Sequence, residues 1–307
     1  MPIRNILVPV LARVAPAAQL DAALKIARRV EGHINAVYLR PDYKSLLKSA
    51  SLIGSTVLLG PSWFPGPSLS AMDESQRRGN TIEAEARASF DVWRRQNGLA
   101  SEPIDSELRS TYACWSVQEG PPEAAILTRG RLSDLIVISY PGGDTDATEA
   151  ILEPAVFDTG RPLLLVPKRV PDDLLRHVVI AWNGSLEATR AVAGALPLLH
   201  EAERVSVFTA PSLSEVELGE DPSASPERAL LTGLPNYLVW HGIRAGQLHP
   251  PANEMSIGAT LLQSALEQEA TLIIMGAFTR GRVRQLLLGG VTRHILKSAT
   301  IPVIMAH

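Results

Sequence analysis

The chain has 307 residues, enough for two domains that each bury a core, and 46% of them are hydrophobic. Its 29 Lys and Arg nearly balance 32 Asp and Glu, so a formal net charge of -3 excludes binding nucleic acid through bulk positive charge. A single cysteine, Cys114, excludes an intramolecular disulfide and a cysteine-built metal cluster.

In chain order, Ile6–Val10 is a compact apolar strand, and the apolar spacing over Ala17–Val30 predicts an amphipathic helix. His33–Leu39 returns as a strand. Tyr43–Gln76 follows as an insertion whose Gly and Pro, as in SWFPGPSL, predict a lid or a covering loop with one helical turn, the plainer role being to cover a sheet edge or domain seam. Leu135–Ser139 (LIVIS) and Pro162–Pro167 (PLLLVP) close the first half as buried strands. Charges and Pro171 then interrupt the pattern over Lys168–Arg176.

The same order recurs beyond that break. Val178–Trp182 is a strand, Leu186–Leu199 a helix and Arg204–Phe208 a strand, and the half closes with Leu272–Gly276 (LIIMG) and Pro302–His307 (PVIMAH). The chain therefore reads as an internal duplication, with domains over 1–168 and 176–307 and the insertion near 43–76 in the first copy. Continuous Val/Ile/Leu runs separated by helices predict an α/β fold of two similar doubly wound parallel-sheet domains. No apolar stretch is long enough to span a bilayer, and the opening MPIRNILVPVLARV has no secretory apolar core, so the expectation is a cytoplasmic protein without a membrane partner.

Chemistry concentrates in LIIMGAFTRGRVRQLLLGG at 272–290. A strand ends at Gly276, a basic loop carries Arg280, Arg282 and Arg284, and Gly289-Gly290 opens a short helix whose first turn holds Val291 and Thr292. Backbone N–H groups at such a start, with arginines near, form an anion site. The same glycines also serve tight turns and close helix–strand packing. Arg280 and Arg282 can grip phosphate bidentately, whereas Arg284 fits a solvated helix face. Thr292 can touch phosphate or cap the helix, and His294 fits a packing role. Asn183-Gly184-Ser185 forms the turn after a parallel strand, where ligands bind in such sheets, and Ser185 can cap the next helix.

Elsewhere the residues suggest structure. The histidines are scattered singly, without the HxxxH or HExxH spacing of a transition-metal site. Trp240 and His241 fit core or seam packing, and Cys114 fits an inert thiol. Asp144, Asp146 and Glu149 fit a hydrated loop better than a cation site. No GxGxxG follows the first strand of either half, which argues against a Rossmann oxidoreductase.

Three blocks in order, HVVIAWNGSLEATRAV at 177–192, YLVWHGI at 237–243 and MGAFTRGRVRQLLLGGVTRHILKSATIPVIMAH at 275–307, resemble the universal stress protein family in its tandem form. RNILVPV and ILEPAVFDTGRPLLLVP resemble that family's opening strand and closing helix–strand unit in the first half. The resemblance implies two adenine nucleotide alpha hydrolase-like domains. Family members that bind ATP carry Gly, two residues, Gly, nine residues, then Gly followed by Ser or Thr. Gly276 and Gly289 take the first and third of these positions. Thr279 stands at the second, with Gly281 two residues late, and Gly290 stands where the hydroxyl residue belongs. The family's acidic residue after the first strand is Asn183 in the second half and Leu11 in the first.

By resemblance, then, the nucleotide site is Asn183, Gly276, Thr279, Arg280, Gly281, Arg282, Gly289, Gly290, Val291 and Thr292. Its ligand is ATP, with Mg²⁺ accompanying it, and neither catalytic residues nor protein metal ligands are implied. The implied function is a non-enzymatic stress-response protein that senses adenine nucleotide through its second half, any ATP hydrolysis being slow and incidental. The alternative is a nucleotide-independent stress protein acting through protein contacts or another small ligand. The partner is an unknown protein. Leu163–Val166 and Val303–Met305 are the strands that the family uses to pair domains, and a homodimer is a further expectation.

Overall fold

A computed structural model describes residues 2–13, 15–40, 69–102, 111–141, 147–210, 226–248, 255–277 and 290–307. Its first half runs β1 (Asn5–Val10), α1 (Ala17–Val30), β2 (His33–Arg40), α2 (Leu69–Gln96), β3 (Ala113–Glu119), α3 (Pro122–Gly130), β4 (Leu135–Ser139), α4 (Ala147–Phe157) and β5 (Leu163–Val166). The second half repeats the order as β6 (His177–Ala181), α5 (Leu186–His200), β7 (Arg204–Phe208), α6 (Pro226–Trp240), β8 (Ala245–Leu248), α7 (Ile257–Glu267), β9 (Leu272–Gly276), α8 (Gly290–Ser298) and β10 (Val303–Ala306).

All ten strands form one sheet in the order β3-β2-β1-β4-β5-β10-β9-β6-β7-β8. Pairing is parallel within each half, as strand–helix–strand crossovers require. At the centre β5 and β10 run antiparallel, with Leu163 opposite Met305, Leu164 opposite Ile304 and Leu165 opposite Val303. All six side chains are buried. At roughly 1.5–3 kcal/mol for each large apolar side chain fully removed from water, this seam is a core in its own right.

The helices cover both faces. α1, α2, α5 and α6 bury Leu20, Phe90, Leu198 and Leu238 on one side, while α3, α4, α7 and α8 bury Ile126, Ile151, Leu261 and Ile295 on the other. Local chemistry sets the helix ends. Ser185 caps α5 by accepting a hydrogen bond from Ala188 N at 3.2 Å, and Ser256 caps α7 by accepting from Ala259 N at 3.4 Å. α1 ends on Glu31 in the left-handed conformation (φ 53°), whose N–H donates to Ala27 O.

One expectation from the sequence changes here, and one strand goes unannounced in it. α2 begins at Leu69, so residues 69–76 of the stretch read as an inserted loop are the opening turns of a 28-residue helix. After Pro67 those residues include helix formers and no proline, which lets the helix start early. Residues 43–68 lie outside the described residues. Edge strand β3 (ACWSVQE) is only partly buried along most of its length, so it lacks the continuous apolar run that announces the central strands.

Candidate functional site

In each half the strand order turns between the first and fourth strands, and the chain leaves their carboxyl ends toward opposite faces of the sheet. In the second half α5 follows β6 onto one face, whereas α8 follows β9 onto the other. Strands that part their helices in this way leave a crevice at their carboxyl ends, the usual ligand position in an open α/β sheet.

Asn183, Gly184 and Ser185 form the rim after β6. Asn183 is exposed, and its Oδ1 accepts a hydrogen bond from Ser185 N at 3.1 Å, which leaves the amide NH₂ as the group that can meet a ligand. Gly184 has φ +70°, and a Cβ there would lie 3.3 Å from Leu230 Cβ. The chain thus turns tightly beneath α6, and Trp182 fixes that contact by donating its indole N–H to Leu230 O at 2.8 Å. Ser185 Oγ is engaged as the α5 cap, so it stands in the turn as a structural group.

Gly276 ends β9 against the first turn of α5. A Cβ at this position would lie 2.5 Å from Ala188 N and 2.8 Å from Glu187 C, so the glycine is required for backbone approach. Of the two roles open to this glycine in the sequence, close helix–strand packing has direct geometric support. The next residue, Ala277, continues the edge by donating its N–H to Ala306 O at 2.9 Å, and its own carbonyl lies 3.0 Å from His307 Nδ1.

The start of α8 completes the edge. Gly290 is exposed with open space around its Cβ position, Val291 is half-buried and Thr292 is buried. Gly258 sets where this turn sits, because a Cβ on it would come 2.9 Å from His294 Cβ and 3.3 Å from Val291 Cα. His294 therefore packs against α7. Thr279, Arg280, Gly281, Arg282 and Gly289 lie outside the described residues, as does Arg284. Of the residues singled out for nucleotide, Asn183, Gly276, Gly290, Val291 and Thr292 stand at the carboxyl edge of the second half.

The first half offers a different surface. Leu11 follows β1 and packs against the core, and Tyr140 follows β4. The Tyr140 hydroxyl donates to Ile301 O at 2.8 Å, reaching the second half, and burial pushes its pKa well above the usual tyrosine value. Sequence reading missed this tyrosine, although an aromatic residue directly after a buried strand was a visible signal. Glu149 lines an open cleft of about 420 Å³ between α3 and α4 with Glu123, Glu153 and Asp158. Asp144 and Asp146 lie outside the described residues, and among the described residues no group of three or more His, Cys, Asp or Glu could hold a metal ion.

Two residues expected to be quiet behave differently from each other. Cys114 is half-buried on β3, and burial raises its thiol pKa, which keeps it protonated. Trp240, expected in a core or seam, is instead 85% exposed on α6. No helix among the described residues is long and apolar enough to cross a membrane.

Residues 175–307 match the model of the universal stress protein family. No curated protein sequence matches the chain. Among solved structures, a universal stress protein from Archaeoglobus fulgidus DSM 4304 shares the fold at 16% identity and TM-score 0.60, over 98% of this chain and 95% of that one. A functionally unknown protein from Pseudomonas aeruginosa PAO1 does so at 14% identity and TM-score 0.52, over 99% and 92%.

Proposed function

We propose, residues 175–307 belonging to the universal stress protein family, that this stress-response protein binds an adenine nucleotide through its second half alone and acts without catalysing a reaction. The observation that carries the reading is the crevice between the carboxyl ends of β6 and β9. Its walls part toward opposite faces, the Asn183 amide stands exposed on one side, and a helix start with an open Gly290 lies along the same edge. The Asn183 amide can donate to a base or ribose oxygen, and the first N–H groups of α8 suit phosphate. ATP is the ligand this chemistry fits, with Mg²⁺ entering on its phosphates. Leu11 and Tyr140 give the first half no comparable donors at these positions.

The non-enzymatic reading is supported by the employment of Ser185. Its hydroxyl caps α5 and has no histidine or carboxylate among its hydrogen-bond partners, so it is not set up as an activated nucleophile. Nucleotide then acts by shifting the population of the second half's surface that a protein partner meets. A second reading has its own support: α5 fills the space beside Gly276, and Asn183 Oδ1 is already engaged. On that reading the family scaffold works by protein contacts or another small ligand, without nucleotide.

Calorimetric titration with ATP, with and without Mg²⁺, separates the two. Saturable binding that Gly290→Asp weakens by about tenfold or more supports the nucleotide reading, because the new carboxylate opposes phosphate. The substitution enters open space, so the fold should survive it. Absence of binding by the unaltered chain would move the assignment to the nucleotide-independent reading, and phosphate release with many turnovers would overturn the non-enzymatic part.

A further inference from the structure

Between Arg228 and Arg244 the sequence contains no Asp, Glu, Lys or Arg, yet most of this stretch is a surface helix, α6. Leu234 and Leu238 face the core, while Leu230, Tyr237, Val239 and Trp240 are exposed. α2, which occupies the matching place in the first half, instead presents Arg77, Arg78, Glu85, Arg87 and Arg95 to solvent. A helix with one apolar face toward its own core ordinarily carries charge on the other.

At 100° per residue, positions 229, 233, 236 and 240 fall within about 60° of one another, opposite Leu234 and Leu238. Ala229, Asn236 and Trp240 are exposed there, and the Cβ position of Gly233 meets no atom within 4 Å. The intervals along this stripe are four, three and four, so it has the same spacing in both directions. An antiparallel copy laid against it brings Trp240 over Ala229 of the second copy and Asn236 over Gly233 of the second copy. Each larger side chain meets a small one, twice over.

From this size match and the missing charge, we infer that α6 is the face through which two copies of the chain associate about a twofold axis. In this register each position of the stripe meets a different one on the second copy, and since none of the four carries charge the contact buries no unpaired ion. Gly233 admits close helix approach, and Trp240 supplies a large aromatic anchor of the kind that dominates such contacts. The β5–β10 seam is already filled within each chain, so the two-copy contact uses a separate surface. This assembly does not depend on nucleotide.

Light scattering after size-exclusion chromatography, over a dilution series of the full chain, tests it. The expected mass is twice 33.1 kDa at high concentration, falling to one chain on dilution. Gly233→Lys and Asn236→Glu should each give the mass of one chain, and an equimolar mixture of the two should regain the double mass, because lysine then faces glutamate across the axis. Circular dichroism checks that both variants are folded, and Trp240→Ala should also shift the chain toward the single mass. A single-chain mass for the unaltered protein at every concentration overturns the proposal. So does a dimer indifferent to all three substitutions, and failure of the mixture to re-associate overturns the antiparallel pairing.

Discussion

The two halves use one backbone framework and finish it with different side chains. Strand register sets Asn5 against His177, Leu11 against Asn183, Asp134 against Thr271, Ser139 against Gly276 and Tyr140 against Ala277. At the amino edge Asp134 N donates to Asn5 O at 2.8 Å, and Thr271 N donates to His177 O at 2.9 Å. The return contacts run from Asn5 N to Asp134 Oδ2 at 2.9 Å and from His177 N to Thr271 Oγ1 at 3.1 Å. At the carboxyl edge Tyr140 N reaches Val166 O as Ala277 N reaches Ala306 O. The side chains diverge around this shared ladder, with Leu11, Ser139 and Tyr140 in the first half where the second has Asn183, Gly276 and Ala277. The shared backbone ladder thus sets the fold in both halves, while the side chains at its carboxyl edge differ from one half to the other.

Exchanging the residue at the end of the fourth strand tests this separation most severely. Gly276→Ser, which installs the first half's residue, drives a side chain into the backbone of Glu187 and Ala188. Overpacking of that kind costs about 1–3 kcal/mol, to be read as a lower urea midpoint with unchanged slope. The reverse change, Ser139→Gly, removes a side chain and should cost no more than about 1 kcal/mol from added chain freedom. Equal losses from the two exchanges would show that the helix approach at Gly276 is not specific to the second half.

A second exchange sharpens the contrast at the amino edge. His177 is buried, with Nδ1 2.9 Å from Gln268 O and Nε2 2.9 Å from Ser206 Oγ, which fits a neutral ring that donates to the carbonyl and accepts from the hydroxyl. Burial, aided by the charges of Arg204 and Arg176, holds its pKa below the ordinary 6.5 despite the opposing hydrogen bond to Gln268 O. A histidine with a lowered folded pKa binds protons more readily when unfolded. Its contribution is therefore whole above about pH 6.5 and is lost as pH falls below that value toward the folded pKa. His33, stacked on Tyr112 at 4.8 Å, is also lowered by burial, against the opposing pull of Asp134. His177→Asn, carrying the first half's residue, should flatten the decline in urea midpoint on acidification and leave the part due to His33. An unchanged acid decline in that variant would remove His177 from the account.

Much of this architecture was legible in the amino-acid order because buried parallel strands must be apolar on both faces. Ile6–Val10, Leu135–Ser139, Val178–Trp182 and Leu272–Gly276 stand out for that reason, and they recur in the order of elements that the two halves share. Edge strands β3 and β8 need no such run, and Ala245–Leu248 is exposed through its middle. At the site, the sequence located the turn after β6 and the glycine ending β9. It could not choose between ligand approach and helix approach for Gly276, because both ask for a missing Cβ; the contact with Ala188 N supplies the helix reading. The exposure of Trp240 was hidden for a related reason, since a charge-free helix looks the same in sequence whether both of its faces are covered or only one.

The smallest expected effect concerns the link between the halves. Tyr140→Phe keeps the ring but deletes the hydroxyl that donates to Ile301 O, a loss of about 1 kcal/mol for one buried hydrogen bond. Because burial raises the tyrosine's pKa, its hydroxyl remains a donor above the alkaline range in which exposed tyrosines ionise, so this contact should hold until the protein unfolds. Absorbance titration of tyrosinate in the two proteins would show it: the difference between them should appear only with alkaline unfolding. Urea unfolding of Tyr140→Phe should remain a single transition, because the apolar β5–β10 ladder still joins the halves after the hydrogen bond is gone. Two separated transitions would instead assign the coupling to the tyrosine, and make the side chain that distinguishes the first half's carboxyl edge the element that holds the two halves together.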